Sequence, residues 1–269
     1  MVFIVDKHSV HVQVPDNTVL AFSKNFSLQV WVNPETWSDI PGWQREPGWP
    51  ALLAKTRSWC DGFGIYGSNH GHQHPTIYMY VNEWNKCYVK CPVPLQTWSC
   101  LLMTYEWQED SGTLKLYMNG EFVMEEKDLP PMRRNDAPLC IGATRWGEAG
   151  WYAWHGAIGP LSIWNRTLKG SEVKKAMTEA SRMESGQVLH LGMREQSGSE
   201  IKDSSGKGLH GLVIDSMTQV DRSTLPPFLG DEASLPWQPR EEGFWTLGNI
   251  VLVSALAAVT YAAFVKSRK

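Results

Sequence analysis

Three chemistries are excluded by what this chain lacks. It has no Gly-x-Ser-x-Gly elbow, no Cys-x-x-Cys pair and no glycine loop of the kind that cradles phosphates. Positive charge is in short supply. The net charge of −3 leaves no surplus of cations to neutralise a phosphate backbone, so a nucleic-acid binder held by charge is excluded. Cysteine is scarce, at five in 269 residues, and the odd count leaves at least one unpaired. That is no disulfide scaffold. Long apolar runs are missing except for one near the C-terminus, and a mean hydropathy of −0.31 excludes a multi-span membrane protein. The opening Met1-Val-Phe-Ile-Val-Asp-Lys lacks the basic and apolar regions of a secretory signal, and reads as a first strand. Tryptophan, in contrast, is abundant: 14 residues, about 5% of the chain. Such rings supply interfaces and ligand platforms as well as cores.

The one long apolar run covers residues 244–265 and carries no charge. As a helix it would be about 33 Å long, against a hydrocarbon core of about 30 Å. Arg240, Glu241 and Glu242 close one side, and Lys266, Arg268 and Lys269 the other. Trp245 and Tyr261 stand near the two ends, where an aromatic belt would place them. These features predict a single transmembrane helix with a four-residue basic tail at 266–269. Ser254, Ala255, Ala258 and Ala262 are small enough to let a second helix pack closely. Without the tail, 22 Lys and Arg face 28 Asp and Glu, so the rest of the chain is acidic. Residues 215–243 hold Pro226, Pro227, Pro236 and Pro239 without periodicity, and read as a connector.

Residues 1–214 show strands and turns. Val12 and Val14 alternate with His11 and Gln13, and Phe26-Ser-Leu-Gln-Val-Trp-Val alternates in the same way. Asn119-Gly120 marks a tight hairpin. A single short helix is expected around Val173, Ala176, Met177 and Ala180, capped by Ser171 and ended by Gly186. Many short strands with one helix predict an all-β sandwich.

Five stretches carry a resemblance. HVQVPDNTVLAFSKNFSLQVWVNP ends at Pro34. LLAKTRSWCDGFGIY covers Leu52 to Tyr66. TWSCLLMTYEWQEDSGTLKLYMNGEFV covers Thr97 to Val123, and LCIGATRWGEAGWYAWHGAIGPLSIWNRTLKGSEV covers Leu139 to Val173. Together they resemble the laminin G-like, concanavalin A-like jelly roll shared by pentraxins and legume-type lectins. The fifth, VLHLGMREQSGSEIKDSSGKGLHGLV from Val188 to Val213, resembles a stretch that often opens such a domain. Here it comes last, as if the domain were permuted or begun again. The resemblance implies a fold and leaves function open, because enzymes, lectins and inert modules share it.

Candidate chemistry is thin. A glucanase of this fold needs paired carboxylates about 5 Å apart. Glu106, Glu109 and Asp110 are wrongly spaced and expected in a loop, and the adjacent Glu125 and Glu126 face opposite sides of a strand. His70, His72 and His74 alternate as metal ligands could, but no carboxylate follows at a useful spacing. Calcium would need clustered oxygens, and Asp61, Asn69 and Asp203 are scattered. All five cysteines are expected to be buried free thiols. Asn25 and Asn165 match the glycosylation sequon, which without a secretory signal reads as chance.

Two tryptophan clusters stand out. Trp37, Trp43 and Trp49 lie in an insertion with a repeated Pro-Gly-Trp, and Trp146, Trp151 and Trp154 lie within nine residues. Both read as platforms for a partner or a sugar. The expectation from these features is a non-catalytic, tail-anchored accessory subunit of a membrane complex. A mitochondrial respiratory or ATP-synthase assembly is the favoured setting, with other subunits and the bilayer as partners. The alternative is a membrane-tethered glycan-binding lectin, with carbohydrate as partner, and the third reading is a glycoside hydrolase. No cofactor is expected.

Overall fold

The computed structural model describes residues 3–5, 11–35, 50–58, 60–68, 76–143, 154–179, 185–193, 195 and 198–214. Its strands are β1 (Phe3–Val5), β2 (His11–Val14), β3 (Phe26–Pro34), β4 (Ala51–Lys55), β5 (Cys60–Ser68), β6 (Thr76–Glu83), β7 (Tyr88–Pro92) and β8 (Ser99–Gln108). They continue as β9 (Ser111–Met118), β10 (Glu121–Leu129), β11 (Leu139–Ile141), β12 (Gly156–Trp164), β13 (Gln187–Leu191), β14 (Glu200–Ile201) and β15 (Gly211–Ile214), with the helix α1 at Ser171–Glu179 between β12 and β13. Two antiparallel sheets form. The first runs β1-β12-β3-β8-β9-β10, with β13 also on β12, and the second runs β14-β15-β2-β11-β4-β5-β6-β7.

Alternation explains the layering. Phe26, Leu28, Val30 and Val32 of β3 are fully buried, and they meet Leu53, Phe63 and Ile65 of the second sheet in one core. Period-two geometry puts Ser27 and Gln29 on the other face of β3, yet both are also buried. The return segment after β12 covers Ser27, whose hydroxyl donates to the Arg166 carbonyl and accepts from the Leu168 amide, while Gln29 Nε2 meets Cys100 Sγ at 3.5 Å. There α1 lays Val173 and Ala176 against Leu102 and Trp164. Glu172 accepts the Lys169 amide at the helix start, the work expected of Ser171, which is itself helical. Gly186, expected to end the helix, lies in the turn before β13.

Turns follow local chemistry. Asn119 and Gly120 both have positive φ, 53° and 82°, as a two-residue hairpin requires. Glu109 and Asp110 make the same kind of turn, at 49° and 62°. Glu106 is a correction: it lies in β8, not in a loop, and pairs with Lys169 at 2.6 Å. The fifth stretch is also settled. It does not begin a second domain. β13 pairs along β12 and β15 pairs along β2, so the last strands of the described chain complete both sheets.

Cys87, Cys91, Cys100 and Cys140 are buried and outside any disulfide, as expected, and burial pushes the Cys91 and Cys100 thiols up to about 12. Cys60 is a correction, because it opens β5 and is exposed. Among the described residues no helix is long and apolar enough to cross a membrane. The predicted span at 244–265, with Ser254, Ala255, Ala258 and Ala262, lies outside the described residues.

Candidate functional site

The side of the second sheet facing away from the core is aromatic. In β5, β6 and β7 the inward positions are Phe63, Ile65, Ile77, Met79, Val81, Val89 and Cys91, all within the core. The alternate positions therefore point outward. Register places them in two rows: Tyr66 beside Tyr78 beside Lys90, and Gly64 beside Tyr80 beside Tyr88. Trp84, in the turn between β6 and β7, closes one end.

The rings hold one another. Tyr66 and Tyr78 stack at 5.2 Å with an interplanar angle of 1°, and Trp84 meets Tyr66 edge-on at 5.8 Å. Tyr78 and Tyr88 lie 5.3 Å apart, and Tyr66 and Tyr80 5.8 Å apart. The Tyr66 hydroxyl donates to the Trp84 carbonyl at 3.1 Å, locking the turn onto the face. Gly64 is required by the packing. A Cβ there would sit 2.6 Å from Cε1 of Tyr80, so the ring lies where a side chain would be. Tyr66 and Tyr80 are buried, while Tyr78, Trp84, Tyr88 and Lys90 are half-buried and form the accessible layer. Burial pushes the Tyr66, Tyr78 and Tyr80 phenols up, so they stay neutral near pH 7. Each remains a hydrogen-bond donor as well as an acceptor.

The residues singled out from sequence fall elsewhere. Trp37, Trp43, Trp49, Trp146 and Trp151 lie outside the described residues, as do His70, His72, His74 and Asn69. Trp154 is a correction: at 1% exposure it fills the core rather than offering a platform. Its amide donates to the Gly142 carbonyl, which fixes it where β11 ends and β12 is about to begin. Asp61 is occupied by Thr56, the Arg57 amide and Asn135. Asp203 is occupied by the amides of His190, Ser205 and Leu209. Among the described residues no group of three or more His, Cys, Asp or Glu could hold a metal ion. Glu125 is occupied by Lys127 at 2.7 Å and Lys115 at 3.5 Å. The tyrosine rows leave their signal as alternation in Ile77-Tyr-Met-Tyr-Val and Cys87-Tyr-Val-Lys-Cys.

A family model described as the concanavalin A-like lectin/glucanases superfamily matches residues 6–174. The chain belongs to that superfamily. One solved structure shares the fold at a TM-score above 0.5, and two others are similar in part. A Bacteroides ovatus ATCC 8483 protein, provisionally described as carbohydrate-binding, matches 79% of this chain at 14% identity and a TM-score of 0.58. This chain spans 57% of that protein's length. A heptameric SAP-like pentraxin from Limulus polyphemus matches 64% of this chain and 83% of its own at 15% identity and TM-score 0.44. A sialidase CBM40 from Ruminococcus gnavus, bound to sialyllactose, matches 59% of this chain and 85% of its own at 16% identity and TM-score 0.43. Comparison with curated proteins gives no match.

These findings overturn the expectation of an accessory subunit in a mitochondrial membrane complex. The Bacteroides ovatus neighbour is described by carbohydrate binding. The aromatic surplus and the missing carboxylate pair, which motivated the subunit reading, suit a lectin equally well.

Proposed function

We propose that the chain is a carbohydrate-binding protein that holds its ligand on the outer face of β5–β7 and does not cleave it. The observation that carries this is the accessible layer of Tyr78, Tyr88 and Trp84 over buried Tyr66 and Tyr80. A pyranose presents C–H groups on its faces and hydroxyls around its rim. Aromatic rings meet the first, and neutral phenol groups meet the second. The superfamily and the carbohydrate-binding description of the Bacteroides ovatus neighbour support the reading. Trp37, Trp43 and Trp49, in the stretch between β3 and β4, are proposed as a further ligand platform. We also propose that residues 1–214 form the binding domain, that 215–243 connect it and that 244–265 tether it to a bilayer.

A glycan array probed with the full-length chain in mild detergent tests the main reading. Saturable binding to a defined sugar is expected. An array with no saturable signal overturns it. The tether is checked separately by alkaline extraction, in which the chain should stay with the membrane pellet.

A further inference from the structure

Among the described residues of β5, β6 and β7, Lys90 is the cation on the outward face. Its Nζ lies 5.6 Å from the Tyr78 ring centroid, in the row that runs from Tyr66 through Tyr78. Six described lysines, Lys55, Lys86, Lys115, Lys127, Lys169 and Lys174, each have a carboxylate partner. Among the described residues Lys90 has none. The acidic groups of β5 and β6 are occupied elsewhere, Asp61 by Thr56 and Asn135 and Glu83 by Lys86 and Arg133. The other outward positions around Lys90 on β6 and β7 are Thr76, Tyr78, Tyr80, Tyr88 and Pro92, none of which carries a carboxylate. Lys90 is half-buried, and its ammonium lies over a ring, where one side of it meets an aromatic face instead of water.

Resting on the carbohydrate reading, we infer that the ligand is an acidic glycan, whose anion pairs with Lys90 while its sugar ring lies against Tyr78 and Tyr88. Lysine is a point charge rather than a planar fork, so it accepts a carboxylate or a sulfate alike. The anion replaces the missing counter-charge, and the tyrosines supply the contact area. Lys90 is thereby the residue that decides between a neutral sugar and its acidic counterpart.

The test is a set of matched glycans titrated into the full-length chain: lactose, sialyllactose and sulfolactose, with other neutral and acidic pairs from the array. The acidic member should bind about ten- to a hundred-fold more tightly, the span of a charge-assisted hydrogen bond. Raising sodium chloride from about 50 to about 500 mM should weaken the acidic member only. Lys90→Gln should bring both members to within about two-fold of each other, and Lys90→Arg should keep the preference, both with unchanged melting temperature. Equal affinities in the wild type, or a preference that survives Lys90→Gln, overturn the inference and leave carbohydrate binding standing. Absence of binding to every neutral and acidic member overturns both.

Discussion

Adding one methyl group at Gly64 tests how the aromatic face is built. Gly64 sits inside β5 with Tyr80 laid across it. An alanine Cβ would fall 2.6 Å from Cε1, 2.8 Å from the hydroxyl oxygen and 2.9 Å from Cζ of that ring. Comfortable contact for such atoms is about 3.5–4.0 Å, so the ring must move by about 1 Å. Tyr80 is 1% exposed and has little room to do so. Two effects compete. In a strand interior, alanine gains about 0.5–1 kcal/mol over glycine from the stiffer unfolded chain. Overpacking a tight site costs about 1–3 kcal/mol. The steric term wins, with a net loss of about 1–2 kcal/mol. For a domain of this size each kcal/mol moves the melting temperature by about 2–4 °C, so Gly64→Ala should lower it by about 2–8 °C in a thermal melt. A higher melting temperature in Gly64→Ala would refute the packing described for the aromatic face.

Further predictions follow from the same geometry. Burial pushes the Asp203 carboxyl up, but the amides of His190, Ser205 and Leu209 outweigh it and hold it below the usual range. A depressed carboxyl contributes stability above its unfolded value, about 3.9, and loses it as pH falls through the folded value. Asp203→Asn should therefore flatten the acid limb of a stability-against-pH curve, and an unchanged limb would count against the loop assignment. Ending the chain after residue 174, where the family match stops, removes the fully or nearly buried Val188, Leu189, Leu191 and Ile201. At about 1.5–3 kcal/mol each the loss approaches total domain stability, so calorimetry should show no cooperative transition. Native chain treated with a thiol reagent should take up label at Cys60 alone, and all five cysteines should react after denaturation. Rapid native labelling of Cys91 or Cys100 by mass spectrometry would contradict their burial.

The fold was legible where one face of a strand had to be apolar. Alternation in Phe26–Val32 and the Asn119-Gly120 turn are local signals, and both survived assembly. The place of 187–214 was not legible, because strand pairing between residues about 200 apart, such as Leu212 with Gln13, leaves no local trace. Trp154 misled for a related reason. A tryptophan in a Gly-rich stretch reads as exposed, yet Trp154 is in the core and its amide meets the Gly142 carbonyl. The tyrosine face was hidden by the opposite error. Tyr78 and Tyr80 alternate with Ile77, Met79 and Val81, and strand period alone does not say which side faces the core. The packing of Ile77, Met79 and Val81 into the core shows that the aromatic side looks out, and register sets Tyr66, Tyr78 and Lys90 in one row there.

The measurement closest to the central claim is isothermal titration of the best array sugar into three full-length proteins: wild type, Tyr78→Ala/Tyr88→Ala, and Phe122→Ala. Phe122 is 51% exposed but lies on the other sheet. Two lost aromatic contacts at about 1 kcal/mol or more each should weaken binding by about thirty-fold or more in the double variant. Phe122→Ala should bind like the wild type. Equal affinity in wild type and the tyrosine variant, with both folded by circular dichroism, would contradict the account.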